Sequence, residues 1–200
     1  MRPDVILFDA DGVVQYPPAG WPERILARLG VTAAEAEPLL AELFEAERPT
    51  LLGMADFPEA VAAVLTRWDL ADRLDEVLSS WREIEVDDAV VAVIQELRAT
   101  GVRCYLATNQ QNMRAAYMRK TLDYDDVFDG QYYSCEIGVA KPDPAYFQYI
   151  LDDLSVPAAQ ALFIDDNQPN VDSARDVGLA AEWYERAHGI DALKAIVQRR

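Results

Sequence analysis

Four aspartates fall where carboxylates can share one task. Asp9 closes the apolar run Val5-Ile6-Leu7-Phe8, and Asp11-Gly12 follow at once. Asp165 and Asp166 close a second apolar run, Leu162-Phe163-Ile164. Any one of them alone reads as a cap or a turn residue. Both pairs following an apolar run is harder to explain that way. A short continuous apolar run marks a strand buried on both faces of a parallel sheet. Ligands of such sheets bind in the crevice beyond the carboxyl ends of the strands. Carboxylates gathered there repel one another. A divalent cation resolves that conflict, and hard oxygen donors favour Mg²⁺.

Two further polar features fall at matching places. Thr108-Asn109 follows the apolar run Cys104-Tyr105-Leu106-Ala107 and precedes a helix expected to begin near Asn112. A hydroxyl beside free backbone N–H groups at a helix start makes a phosphate cradle. A plain N-cap would use the same residue types. Lys141 precedes Pro142-Asp143-Pro144, and Pro142 stiffens that loop. A lysine there can reach the acidic cleft and hold carboxylates and phosphate oxygens together. Taken alone it reads as a solvated surface residue.

The elements that must position these groups are legible as periods. Ala180 to Tyr184 and Gln131 to Cys135 are weaker strand candidates. Val90, Val93, Ile94 and Leu97 recur at helical spacing, and Gly101 supplies a stop. Tyr146, Phe147, Ile150, Leu151 and Leu154 mark another helix, opened by Asp143 as cap and Pro144 in the first turn. Val171, Ala174 and Val177 mark a shorter one, closed by Gly178. Strand and helix alternate from residue 88 onward, which predicts an α/β fold with helices on both faces of a parallel sheet.

The stretch from Gln15 to Val86 differs. It shows no convincing strand. Leucine, valine and aromatic stripes at helical spacing are punctuated by Pro17, Pro18, Pro22, Pro49 and Pro58. The expectation is an all-helical cap over residues 15–86, inserted after the first strand. Residues 1–14 and 87–200 would then form the core. Tyr16, Trp21, Phe44, Phe57, Trp68 and Trp81 lie in or beside the cap, and at helical spacing most of them read as its core. The alternative is that these helices simply pack on the main domain.

Composition narrows the partners. The chain has 200 residues, 51% of them apolar and 26% charged, which is enough to build a sizeable core. Its net charge of −17 repels nucleic acid and anionic lipid. No apolar run approaches the roughly 18–20 residues that span a bilayer. The start, Met1-Arg2-Pro3-Asp4, does not resemble a signal peptide. Cys104 and Cys135 make neither a disulfide framework nor a metal site, so a reducing cytoplasm is the simplest setting. With His188 as the single histidine, serine-hydrolase triads and histidine-rich zinc sites are poorly supported.

Together these residues carry a family resemblance. Asp9-Ala10-Asp11-Gly12-Val13 resembles the first motif of the haloacid dehalogenase-like (HAD) hydrolase superfamily. Leu106-Ala107-Thr108-Asn109 resembles its second motif and Lys141-Pro142-Asp143-Pro144 its third. Phe163-Ile164-Asp165-Asp166, with Asn170-Val171 and Ala174, resembles its fourth. Four motifs in order across nearly the whole chain are specific, where the first alone would be weak. The resemblance implies a Rossmann-like parallel sheet with the small helical cap of the first subfamily. Within that subfamily the pattern looks most like sugar-phosphate phosphatases, the α-D-glucose-1-phosphate phosphatase-like group above all, and the amino-terminal phosphatase of epoxide hydrolases.

By this resemblance Asp9 is the nucleophile that accepts a phosphoryl group, and Asp11 is the acid and base. Mg²⁺ would sit on the Asp9 side chain, the Asp11 backbone carbonyl and Asp166. Asp165 would act in the outer shell, through water or Lys141. Thr108, the Asn109 N–H and Lys141 would hold the phosphoryl oxygens. Dehalogenases of the superfamily carry no acid two residues after the nucleophile, so Asp11 argues for phosphoryl transfer. The substrate implied is a small phosphorylated metabolite, and the chain would be a monomer or a small homo-oligomer. A phosphotransferase of the mutase kind shares the same chemistry, and a receiver-like domain phosphorylated on aspartate is the non-enzymatic alternative.

Overall fold

A computed structural model describes residues 3–198. Met1 and Arg2, which open the amino-terminal segment considered above, lie outside them. The chain runs β1 (Val5–Phe8), β2 (Gln15–Tyr16), α1 (Trp21–Leu29), α2 (Ala33–Glu47), α3 (Phe57–Arg67), α4 (Leu74–Trp81) and β3 (Glu85–Val86). It continues α5 (Asp88–Ala99), β4 (Arg103–Thr108), α6 (Asn112–Thr121), α7 (Tyr124–Val127), β5 (Gly130–Tyr133) and α8 (Ser134–Ile137). It ends α9 (Pro144–Leu154), β6 (Ala161–Asp165), α10 (Gln168–Asp176), β7 (Ala180–Trp183) and α11 (Gly189–Gln198). Among the described residues no helix is long and apolar enough to cross a membrane.

Among the described residues, five strands form one sheet in the order β5-β4-β1-β6-β7, every pair parallel. β1 is central and fully buried, which is why it reads as an unbroken apolar run. Its residues alternate between two layers. Ile6 and Phe8 pack with Val90, Ile94 and Leu193 on one face, and Val5 and Leu7 with Phe147, Ile150 and Val171 on the other. Helix starts follow ordinary capping chemistry. The Asp87 carboxylate accepts from the N–H groups of Ala89 and Val90, and Asp143 accepts from Ala145 with Pro144 in the first turn.

The helices from Trp21 to Trp81 share a separate core of Leu39, Leu43, Phe57, Val61, Leu65, Val77 and Trp81. Each such side chain contributes about 1.5–3 kcal/mol by leaving water. These helices therefore do not depend on the sheet for all of their burial. Phe57 and Trp81 are buried there, Trp21 and Trp68 pack against the cluster, and Phe44 is exposed. The cap is moored to the sheet domain through α6. Met113 packs into the cap cluster, and Asn112 bridges the Asp56 carboxylate at 2.6 Å and the Phe57 N–H at 3.2 Å.

Two details differ from the expectation. The stretch from Gln15 to Val86 does contain strand: β2 and β3 pair antiparallel, Gln15 with Val86 and Tyr16 with Glu85. Two residues per strand are too few to show a period, so this ribbon leaves no pattern in the sequence. The fifth strand ends at Tyr133, and Ser134 and Cys135 already belong to α8.

Candidate active site

β4, β1 and β6 lie side by side, and their carboxyl ends deliver Thr108, Asp9 and the Asp165-Asp166 pair to one rim of the sheet. The Asp9 N–H donates to the Ile164 carbonyl at 2.9 Å, so the nucleophile candidate is still held by the sheet. Beyond the rim lies a cavity of about 190 Å³. Asp9, Asp11, Thr108, Asn109, Lys141 and Asp166 line it, with Asn167 and Asn170. Of the site residues expected from sequence, Asp165 alone is not on its wall.

Lys141 reaches this rim from the loop before α9, and its side chain is only 1% exposed. Its Nζ donates to Asp9 Oδ1 at 2.8 Å and to Asp165 Oδ2 at 2.7 Å. A buried ammonium facing two carboxylates is a paired charge, not a solvated one. Burial pushes the lysine pKa down, but Asp9 and Asp165 outweigh burial and the net shift is upward. Asn109 sets the backbone of this lysine: its Nδ2 donates to the Lys141 carbonyl at 2.8 Å, and its Oδ1 accepts the Lys141 N–H at 2.9 Å. Neither Thr108 nor Asn109 caps α6. Gln111 does, accepting from the Met113 and Arg114 N–H groups.

The two carboxylates after β6 are used differently. Asp165 is fully buried and takes hydrogen bonds from Lys141, the Asn167 N–H at 2.7 Å and Asn170 Nδ2 at 3.0 Å. Asp166 is only half-buried, and its carbonyl accepts from the Trp183 indole at 2.7 Å. A Cβ built on Gly12 would stand 2.1 Å from Asp166 Oδ2, and Gly12 has φ +100°. Glycine is therefore needed there twice over, for its backbone angle and for the approach of the carboxylate.

Oxygens of Asp9, Asp165 and Asp166 lie within 4.8 Å of one another. Burial pushes Asp9 up to about 7, against the pull of Lys141 and with a push from Asp165. Burial, then Asp165, pushes Asp166 up to about 6. Asp9 and Asp166, whose charge is costly here, stand with Asp165 as an all-oxygen donor set suited to a hard divalent cation. This donor set fits Mg²⁺, and Gly12 is what lets the Asp166 carboxylate come so close to the turn after β1.

Asp11 is surrounded by donors that sequence reasoning missed. Its Oδ1 accepts from Arg114 at 2.8 Å and from Gln15 Nε2 at 2.9 Å, and its Oδ2 accepts from Gln110 Nε2. The lone cation in the first turn of α6 was the only available signal for Arg114. Glutamines carry none. From the cap, Glu47 accepts from the Trp81 indole at 3.0 Å, and burial pushes its carboxyl up. Glu47 is close enough to Arg114 and Asp11 to feel both charges.

Similar proteins show the family. The family model of haloacid dehalogenase-like hydrolases matches residues 3–178. The chain is 27% identical to the sesquiterpene phosphatase astK of Aspergillus oryzae over 129 residues, 62% of this chain and 63% of that protein. It thus spans less than two thirds of that relative. It is 29% identical to a phosphoglycolate phosphatase of Rhodospirillum rubrum over 192 residues, 88% of this chain and 77% of that one. A HAD-family enzyme of Bacteroides thetaiotaomicron, solved as a magnesium complex, superposes with a TM-score of 0.80 at 16% identity, covering 97% of this chain and 99% of that one. At that identity the likeness is one of fold: a Rossmann-like α/β core with a helical cap. The match over residues 3–178 places this chain in the haloacid dehalogenase-like hydrolase family.

Proposed function

We propose that the chain is a Mg²⁺-dependent phosphatase that hydrolyses a small phosphomonoester through an aspartyl-phosphate on Asp9. The observation that carries this reading is Lys141, buried between Asp9 and Asp165 beside Asp166. A cation held this way cancels charge on the nucleophile while leaving it in place to meet an anionic substrate. Asp9 and Asp166 would hold the magnesium ion together with the Asp11 carbonyl, and Asp165 would support it through Lys141 and Asn170. When bound, the ion would neutralise charge on the phosphoryl oxygens.

The residues then divide the work. An Asp9 carboxylate oxygen attacks phosphorus, and the bond from phosphorus to the leaving oxygen breaks. Asp11 gives that oxygen its proton. In the second half Asp11 takes a proton from water, the water oxygen bonds to phosphorus, and the bond to Asp9 breaks. Thr108, the Asn109 N–H and Lys141 orient the phosphoryl oxygens, which is where charge spreads in the transition state. Residues 15–86 act as the cap, which excludes water and shapes the leaving-group pocket, and residues 1–14 and 87–200 act as the catalytic core. The substrate class is a sugar phosphate, as the motif pattern implies. The cytoplasm is the proposed setting.

The test is release of inorganic phosphate, with and without Mg²⁺, from p-nitrophenyl phosphate and a panel of phosphorylated metabolites. Metal-dependent release that disappears in Asp9→Asn supports the reading. A wild-type protein as inert as the variant removes it. Conversion of a hexose phosphate to its isomer, with no free phosphate, would instead indicate a mutase.

A further inference from the structure

The side chain of Asp11 is 35% exposed, which leaves it room to turn. Three donors from separate parts of the fold nevertheless converge on it. Gln15 starts β2, Gln110 lies between β4 and α6, and Arg114 stands in the first turn of α6. We propose that Gln15, Gln110 and Arg114 are positioning residues that aim the Asp11 carboxyl at the leaving oxygen. The inference rests on the reading of Asp11 as the acid of phosphoryl transfer.

Each donor stands on backbone that the scaffold holds, and the Gln15 side chain is held as well. Gln15 is fully buried, and its Oε1 accepts from the Tyr124 hydroxyl at 2.8 Å. That bond sets the amide orientation, so its Nε2 is the end facing Asp11. The Gln15 carbonyl accepts the Gly12 N–H at 2.8 Å, which closes the turn carrying Asp11. Gln110 is buried, and its own N–H donates to Ser134 Oγ at 3.0 Å. Arg114 rides on a helix start capped by Gln111 and moored to the cap by Asn112. Both carboxylate oxygens of Asp11 are thus addressed by groups whose own positions the scaffold dictates. A proton-transfer group gains from this, because a misplacement of about 1 Å can cost about 10²-fold in rate.

The test compares two substrates of nearly equal size on the same protein. The p-nitrophenolate group leaves without a proton, whereas the phenolate of phenyl phosphate needs one. The ratio of kcat/KM values covers only steps up to departure of the leaving group, and it cancels the fraction of protein that is folded. In Arg114→Met and Gln15→Met, kcat/KM for phenyl phosphate should fall about 10-fold or more, with p-nitrophenyl phosphate within about threefold. Arg114→Lys should recover part of the loss. Asp11→Asn should show the same selectivity, and more strongly.

An equal fall on both substrates, or none on phenyl phosphate, overturns the positioning role if Asp11→Asn remains selective. Loss of selectivity in Asp11→Asn itself overturns the acid reading and the positioning role with it.

Discussion

At the carboxyl ends of β4, β1 and β6 the buried groups are Thr108, Asp9, Lys141 and Asp165. In the helices between Trp21 and Trp81 they are Leu39, Leu43, Phe57, Val61 and Trp81. In the first set Asp9, Lys141 and Asp165 are held by directed bonds, Lys141 donating to both carboxylates. The second set is held by area removed from water, with aromatic rings such as Trp21 and Trp81 meeting edge to face at 4.8 Å. A charge network is unforgiving of any one change and responds to ions. An apolar cluster loses stability in proportion to volume and is indifferent to them. Under the proposed function, that contrast would suit a rigid reaction centre beneath a cap free to vary with the leaving group.

The largest effect expected falls on the proposed nucleophile. Asp9→Asn should lower kcat by at least about 10³-fold while the protein keeps its fold, as phosphate release and circular dichroism together would show. Next come paired changes that set the two regions against each other. Lys141→Met leaves Asp9 and Asp165 without their cation and should cost about 3–5 kcal/mol in urea unfolding. Leu43→Ala in the cap should cost about 2–5 kcal/mol. Measured against wild type at the same Mg²⁺ concentration, the first loss should shrink as Mg²⁺ is added and the second should stay constant. Equal shrinkage of the two losses would erase the distinction between the regions.

Gly12→Ala is a narrower probe. Its Cβ would overlap the Asp166 carboxylate, so Mg²⁺ affinity measured by calorimetry should drop, with a stability cost of about 1–3 kcal/mol for the strained backbone.

The smallest effect is a pH dependence. Folding raises Asp9 to about 7 and Asp166 to about 6. Raised carboxyl values stabilise the metal-free protein below about pH 4, and that stability is lost as pH rises through 6 to 7. On the proposed reading, Mg²⁺ would compete with those protons. Saturating Mg²⁺ should therefore raise Tm by about 5–10 °C at pH 8 and by clearly less at pH 5.5. A shift independent of pH would place the ion elsewhere.

Much of this was legible in the sequence because burial on both faces gives strands an unbroken apolar run. Asp9, Thr108 and the Asp165-Asp166 pair could be placed simply by standing where such runs stop. Lys141 was found through the prolines that follow it. Gln15, Gln110 and Arg114 were not found. Their contacts with Asp11 span up to 103 positions and follow from side chains folding back from a ribbon and a helix start, which no local period records. The β2–β3 ribbon was missed for want of length. The cap was legible as helices, and its aromatic residues as core, but periodicity says nothing about which of its faces meets the site. Glu47 shows this, being one more acidic residue in a helix rich in them.

The central claim is that Asp9 carries the phosphoryl group between the two half-reactions. Acid quenching during turnover, followed by borohydride reduction, converts an aspartyl-phosphate to homoserine, which peptide mass spectrometry locates. The account predicts homoserine at position 9, dependent on substrate and Mg²⁺. Steady phosphate release with Asp9 unmodified, or with the mark on another carboxylate, would contradict it.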